Sequence, residues 1–176
     1  MKEFFGRRRV LGVPALALLA AFAWWVAPAA PGAAQAALGA LTLGAPAPDF
    51  KLPDLDGKTV SLSEFKGKQP VLIYFWATWC PSCKEVKPEL VKLRERLKAE
   101  DLAMLAVNVG HRDPLERVKS YQKANPIPLT VLYDDGTEVT QRYGVRGIPY
   151  FVVVSKAGDV IYKDHELPQD IRSLMR

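Results

Sequence analysis

Two apolar runs of strand length dominate the chain, Val71–Trp76 and Leu102–Val109. Neither alternates with polar residues, which is the pattern of strands buried on both faces of a sheet. Between them the period becomes helical. Cys83, Val86, Leu90, Leu93 and Leu97 recur at steps of three and four, while Lys84, Lys92, Glu95 and Arg96 fall elsewhere. Pro88 lies inside that pattern and predicts a kink. Upstream, residues 47–62 read as a hairpin turning at Asp56-Gly57, followed by a short helical turn from Ser61 that ends at Gly67. Downstream, Asp113-Pro114-Leu115-Glu116 reads as an N-cap, a first-turn proline and a capping box. That helix runs to about Ala124, where Asn125-Pro-Ile-Pro breaks it. Leu129–Tyr133 is a short strand, and Glu138–Tyr143 a short helix closed by Gly144. Tyr150–Ser155 and Asp159–Lys163 form a hairpin about Lys156-Ala-Gly158, and Gln169–Arg176 has room for two helical turns at most. The order β-β-(α)-β-α-β-α-β-α-β-β-α predicts an α/β fold, with a mixed sheet and helices on both faces.

The N-terminal pattern differs. No charged residue occurs from Val10 to Pro48, and Arg7, Arg8 and Arg9 precede the gap. Such a layout keeps the arginines in the cytoplasm and sends the rest across. The segment is either a signal peptide, cut at a site such as Ala34-Gln35-Ala36, or an uncleaved anchor. Val10–Ala27 as a helix spans about 27 Å, near the lower limit for crossing a bilayer. Trp24 and Trp25 sit where an outer aromatic belt belongs, which favours the anchor. Arg7-Arg8-x-Val10-Leu11 also matches a twin-arginine export signal loosely. The expected organisation is residues 1–27 as anchor or signal peptide, 28–44 as an Ala/Pro/Gly-rich spacer, and 45–176 as one domain, placed outside the cytoplasm.

Composition changes this picture little. The chain is 49% hydrophobic and 24% charged, as globular chains are. Its net charge is +5, but more than half of that comes from Lys2 and Arg7–Arg9 against Glu3. No basic nucleic-acid face is indicated, and no nucleic-acid partner is expected. A domain of about 130 residues buries a full core without a covalent staple. The two cysteines of the chain, Cys80 and Cys83, are therefore expected to be functional rather than structural.

They stand in Trp79-Cys80-Pro81-Ser82-Cys83, where the strand pattern gives way to the helix. Cys80 at the helix N-terminus meets unpaired N–H groups and the positive dipole end, which stabilise a thiolate and lower its pKa. Cys83, one turn in on the apolar face, is the more buried. Cys80 should form a mixed disulfide with substrate and Cys83 should release it. Pro81 is rigid and has no N–H, and Ser82 offers a hydroxyl to a cysteine sulfur. Trp79 and Trp76 are placed to shield the thiols, Trp76 chiefly as core. Glu85 is either a proton shuttle or a solvated first-turn acid. His111 and His165 read as surface histidines rather than metal ligands. No cofactor and no metal are expected, and a monomer is.

These residues resemble a known family. Phe75-Trp-Ala-Thr-Trp-Cys-Pro-Ser-Cys looks like the active-site strand and turn of the thioredoxin superfamily, and Tyr143-Gly-Val-Arg-Gly-Ile-Pro149 like its cis-proline loop. The Ala47-Pro-Asp-Phe opening, the extra helix at 114–124 and the N-terminal segment are similar to membrane-tethered TlpA/ResA/CcmG-like thiol–disulfide oxidoreductases. The resemblance covers about residues 45–163. It implies a cis bond before Pro149, with the Ile148 backbone free to pair with a bound peptide. It also implies reduction of protein disulfides, such as those of apocytochrome c or oxidase subunits, driven by a membrane thiol reductant.

Three positions depart from the family. Tyr74 stands where cytosolic thioredoxins carry a buried Asp, and Ala106 where its Lys partner stands. Val86 stands where TlpA/ResA-like chains often carry Glu, with Glu85 one step round the helix. Tyr150 follows the proline, where a small residue is usual. Two alternatives have sequence support. Peroxiredoxin-like chains share the Ala47-Pro-Asp-Phe opening but use P-x-x-x-T-x-x-C. Here Thr78 has one residue between it and Cys80, and Tyr74 replaces the proline. A copper-binding chaperone domain would use Cys80, Cys83 and His165, although such domains space their cysteines by three.

Overall fold

The computed structural model describes residues 41–175. The segment read as anchor or signal peptide, and most of the spacer, lie outside them. No helix among the described residues is long and apolar enough to cross a membrane.

The two continuous apolar runs become β3 (Val71–Trp76) and β4 (Ala103–Asn108), buried at every position. They take the middle of a five-stranded sheet of order β5-β4-β3-β6-β7, flanked by helices. β5 is Thr130–Tyr133, β6 Tyr150–Val154 and β7 Val160–Asp164. β4 pairs parallel with both β3 and β5, whereas β6 runs antiparallel to β3 and β7. A parallel neighbour requires a crossover. α1 (Pro81–Arg96) supplies it between β3 and β4, and α2 (Leu115–Ala124) between β4 and β5. α2 is the extra helix expected from the sequence.

A separate hairpin, β1 (Lys51–Pro53) with β2 (Thr59–Ser61), docks against the β5 edge through an Asp54–Leu132 bridge. The turn at Leu62–Glu64 carries a capping box between Ser61 and Glu64. α3 (Glu138–Arg142) and α4 (Ile171–Leu174) are short, as the patterns predict. Packing begins before Ala45. Leu41 is buried, and Gly44 N–H donates to Val160 O at 2.8 Å.

α1 runs through Pro88 without a break in the helix. One local expectation needs correction. Asp113 does not cap α2. Pro114 holds the N-cap position without a side-chain bond, and Glu116 pairs with Lys119 on the surface at 3.6 Å. The Asp113 carboxylate is engaged elsewhere, as described below.

The loop after β4 is held by a close backbone approach. Gly110 has φ +67°, and a Cβ there would meet Asp134 O at 2.3 Å. Gly110→Ala is expected to cost about 2–4 kcal/mol, combining left-handed strain with a backbone clash. A fall in the urea unfolding midpoint measures it; an unchanged midpoint would show that the two loops part without penalty.

Candidate active site

The dithiol sits where β3 ends and α1 begins. Cys80 is the N-cap residue, with extended backbone (φ −86°, ψ 111°), and Pro81 opens the helix. Proline fits that first position because its missing N–H would have no intrahelical partner. Cys80 and Cys83 are joined by a disulfide, with their Cα atoms 5.3 Å apart. Both are buried. The N–H of Cys83 donates to Cys80 Sγ at 3.1 Å, so a helix N-terminal donor is aimed at that sulfur. This amide takes the place expected for the Ser82 hydroxyl. Ser82 itself is exposed, and no bond from its hydroxyl to sulfur is present among the described residues.

The opposing loop arrives through sheet register. β6 pairs with β3 so that Tyr150 faces Phe75. The residues before Tyr150 therefore lie beside the residues after Trp76. The Ile148–Pro149 peptide is cis, and Ile148 O stands 3.7 Å from Cys80 Sγ. An oxidised sulfur has no proton to donate, so this is a contact; a reduced Cys80 thiol has a donor for that carbonyl. His165 braces the loop from β7's end, its Nδ1 2.9 Å from Pro149 O. A carbonyl only accepts, so Nδ1 carries the proton. The His165 ring also meets Tyr150 edge-on at 5.1 Å. Burial pushes the Tyr150 phenol above its ordinary value, and Asp164 adds to the shift.

Beside this loop an open groove of about 270 Å³ runs between Trp79, His111, Arg146 and Ile148. Trp79 is 45% exposed, so it walls the groove rather than sealing the thiols from water. Its indole N–H donates to His111 O at 2.9 Å. Trp76 is core, as expected.

Sequence reasoning missed Asp113. Its carboxylate is fully buried and accepts three hydrogen bonds: from Thr78 N–H at 2.7 Å, Thr78 Oγ1 at 2.6 Å and Asn108 Nδ2 at 2.7 Å. It fixes the loop that delivers Cys80. The Thr78 hydroxyl is thereby committed to Asp113, away from the role that a peroxidase threonine would need. The only legible signal was an acidic residue beside proline, which reads locally as a cap.

The positions lacking the family's charges meet one another. Tyr74 and Ala106 are direct partners across β3 and β4. The Tyr74 hydroxyl donates to Cys83 O at 3.1 Å. Burial pushes its phenol far above the usual range, so it stays a neutral donor. Val86 is half-buried against the core, and Glu85 is exposed with no bond to the cysteines. Among the described residues, no three His, Cys, Asp or Glu side chains are grouped to hold a metal ion.

Comparison with known proteins places this geometry. The profile of the AhpC/TSA family matches residues 43–163. The thiol-disulfide oxidoreductase ResA of Bacillus thuringiensis subsp. konkukian is 33% identical over 121 residues, 69% of this chain and 68% of its own. The chain is a ResA-like member of the AhpC/TSA family. ResA of Bacillus subtilis is 32% identical over 118 residues, 67% of this chain and 64% of its own. Among solved structures, a Chlorobium tepidum protein assigned as thiol:disulfide interchange protein DsbE superposes with TM-score 0.68 at 27% identity, covering 76% of this chain and 95% of that one. The exposed lipoprotein thioredoxin Etrx1 of Streptococcus pneumoniae gives 0.63 at 30% identity, covering 72% and 98%. The fold of this ResA-like chain is thus thioredoxin-like, its activity class is thiol–disulfide oxidoreduction, and the close Cys80–Cys83 pair fits a redox dithiol.

Proposed function

We propose that the protein reduces disulfides of other proteins outside the cytoplasm, tethered there by residues 10–27. Cys80 is the attacking thiolate and Cys83 the resolving thiol. The observation that carries this reading is Cys80 Sγ held between the Cys83 N–H and the carbonyl of Ile148. The first contact stabilises negative charge on the sulfur. The second places the sulfur beside the backbone on which an extended substrate segment lies. Attack by Cys80 opens the substrate disulfide to a mixed disulfide, and Cys83 then closes onto Cys80 and frees the second substrate thiol. A membrane thiol reductant returns the pair to the dithiol. Cysteines of apocytochrome c or of an oxidase subunit are the proposed substrates, in keeping with the ResA-like relatives. Trp79, Pro81, Ser82, Ile148 and Pro149 shape the approach.

The test uses the full chain with insulin and with a peptide disulfide as substrates and dithiothreitol as donor, beside a parallel assay of hydrogen peroxide turnover. Disulfide reduction with peroxide turnover at background is the expected result. Peroxide turnover without disulfide reduction would replace this reading with the peroxidase one.

A further inference from the structure

A small cavity of about 10 Å³ adjoins Cys83, lined also by Tyr74 and Trp76 of β3, Lys84 and Lys87 of α1 and Gln122 of α2. Two of these side chains carry a buried polar atom with no partner among the described residues: Trp76 Nε1, a donor, and Gln122 Oε1, an acceptor. Trp76 is only 5% exposed. The Gln122 amide is pinned, because its Nε2 donates to Ile127 O at 3.0 Å and that carbonyl accepts only donors. Its oxygen is therefore the end left over. Native proteins rarely leave such atoms unpaired, and a cavity of about 10 Å³ is just large enough for one water molecule where polar atoms such as these two line it.

We propose that one water molecule, accepting from Trp76 Nε1–H and donating to Gln122 Oε1, carries the proton of Cys83. The proposal rests on the disulfide-exchange reading above and supplies the proton route that Tyr74, Val86 and Ala106 cannot. As Cys83 sulfur attacks the Cys80 sulfur of the mixed disulfide, its S–H proton passes to the water, which in the same step gives a proton up to bulk solvent at the cavity mouth. The Cys80–Cys83 bond forms and the bond from Cys80 to the substrate sulfur breaks. The substrate sulfur leaves with the electron pair as a thiolate and takes a proton from solvent. The substrate disulfide thus gains two electrons and the dithiol loses two. The ionisable groups around the cavity besides Cys83 are Tyr74, Tyr121, Lys84 and Lys87, and no carboxylate lines it. Lys87 Nζ donates to Asn125 O at 2.8 Å, and Lys84 Nζ lies over the Tyr121 ring; Lys84 is exposed, so the cavity lies close to solvent on that side.

In the full chain carrying Cys80→Ser, Cys83 is the sole thiol, and its alkylation rate against pH reports its ionisation. Adding Gln122→Leu or Trp76→Phe is expected to raise the alkylation midpoint by about one pH unit. With both cysteines present, the same changes should slow release of the mixed disulfide about tenfold. Gln122→Glu, which keeps an acceptor at that place, should restore release. A midpoint and release rate unchanged by both Gln122→Leu and Trp76→Phe would overturn the proposal. So would a high-resolution crystal structure of the reduced protein with no ordered water bonded to both atoms, a measurement that needs no variant to fold. The unsubstituted chain is the control. If it reduces no disulfide, the functional reading itself fails; if it is active while the variants match it, only the relay fails.

Discussion

Cys83→Ser is expected to turn the protein from a catalyst into a trap, whereas Cys80→Ser should leave it inert. Both substitutions remove roughly three or more orders of magnitude of turnover, the scale on which losing a nucleophile registers. They differ in what accumulates. Cys80 is the N-cap residue, its sulfur beside Ile148 O and next to the groove walled by Trp79. Cys83 lies within the first turn of α1, on the side of Tyr74 and the small cavity. A substrate sulfur approaching along the Ile148 backbone therefore meets Cys80 first. Without Cys83 that adduct has no internal resolving thiol, and it should persist on a non-reducing gel with mass spectrometry assigning it to Cys80. Without Cys80 no adduct should form. A stable adduct on Cys83 in the Cys80→Ser protein would reverse the division of labour. Adducts recovered with the trapping variant also identify the substrate directly.

The order of elements was legible because β3 and β4 are buried on both faces and so leave unbroken apolar runs, between which the helical period of α1 is plain. The active-site junction was legible for the same reason, since the change of period falls at Cys80. The cis-proline loop was not visible from periodicity. It became an expectation only through the Tyr143–Pro149 motif, and its contact with Cys80 depends on a register, Phe75 opposite Tyr150, that no local pattern specifies. Asp113 was misread because a strong local rule, an acid before proline at a helix start, competed with a demand from residues 35 positions away. The buried Thr78 loop needed an acceptor, and the tertiary need won. Gln122 carries no local signal. Its neighbour Tyr121 packs its ring 5.8 Å from that of Trp76, and the Gln122 oxygen is buried beside them. In each case the missing information was a contact between distant segments rather than a property of either one.

Asp113→Ala should show how far the dithiol depends on that contact. The substitution leaves three buried donors, Thr78 N–H, the Thr78 hydroxyl and Asn108 Nδ2, without their acceptor. Each orphaned donor costs about 1–3 kcal/mol, and because they share one site the sum falls short of additive. A loss of about 3–4 kcal/mol in unfolding free energy is expected. Asp113→Asn keeps one carbonyl acceptor but turns an amide N–H toward a donor, so a loss near 2 kcal/mol follows on the same grounds. Thr78→Val removes the hydroxyl alone and should cost least. Activity should fall further than stability predicts. Thr78 lies two residues before Cys80, and Trp79 between them is tied to His111 O in the same loop as Asp113. Releasing Thr78 frees the segment that sets Cys80 against Ile148, and a displacement of about 1 Å at a reacting atom costs up to a hundredfold in rate. Assayed well below the melting temperature, where every variant is folded, the exchange rate should fall ten- to a hundredfold for Asp113→Ala and less for Thr78→Val. Full exchange activity in a folded but destabilised Asp113→Ala protein would confine Asp113 to stability and leave the placement of Cys80 to the helix N-terminus alone.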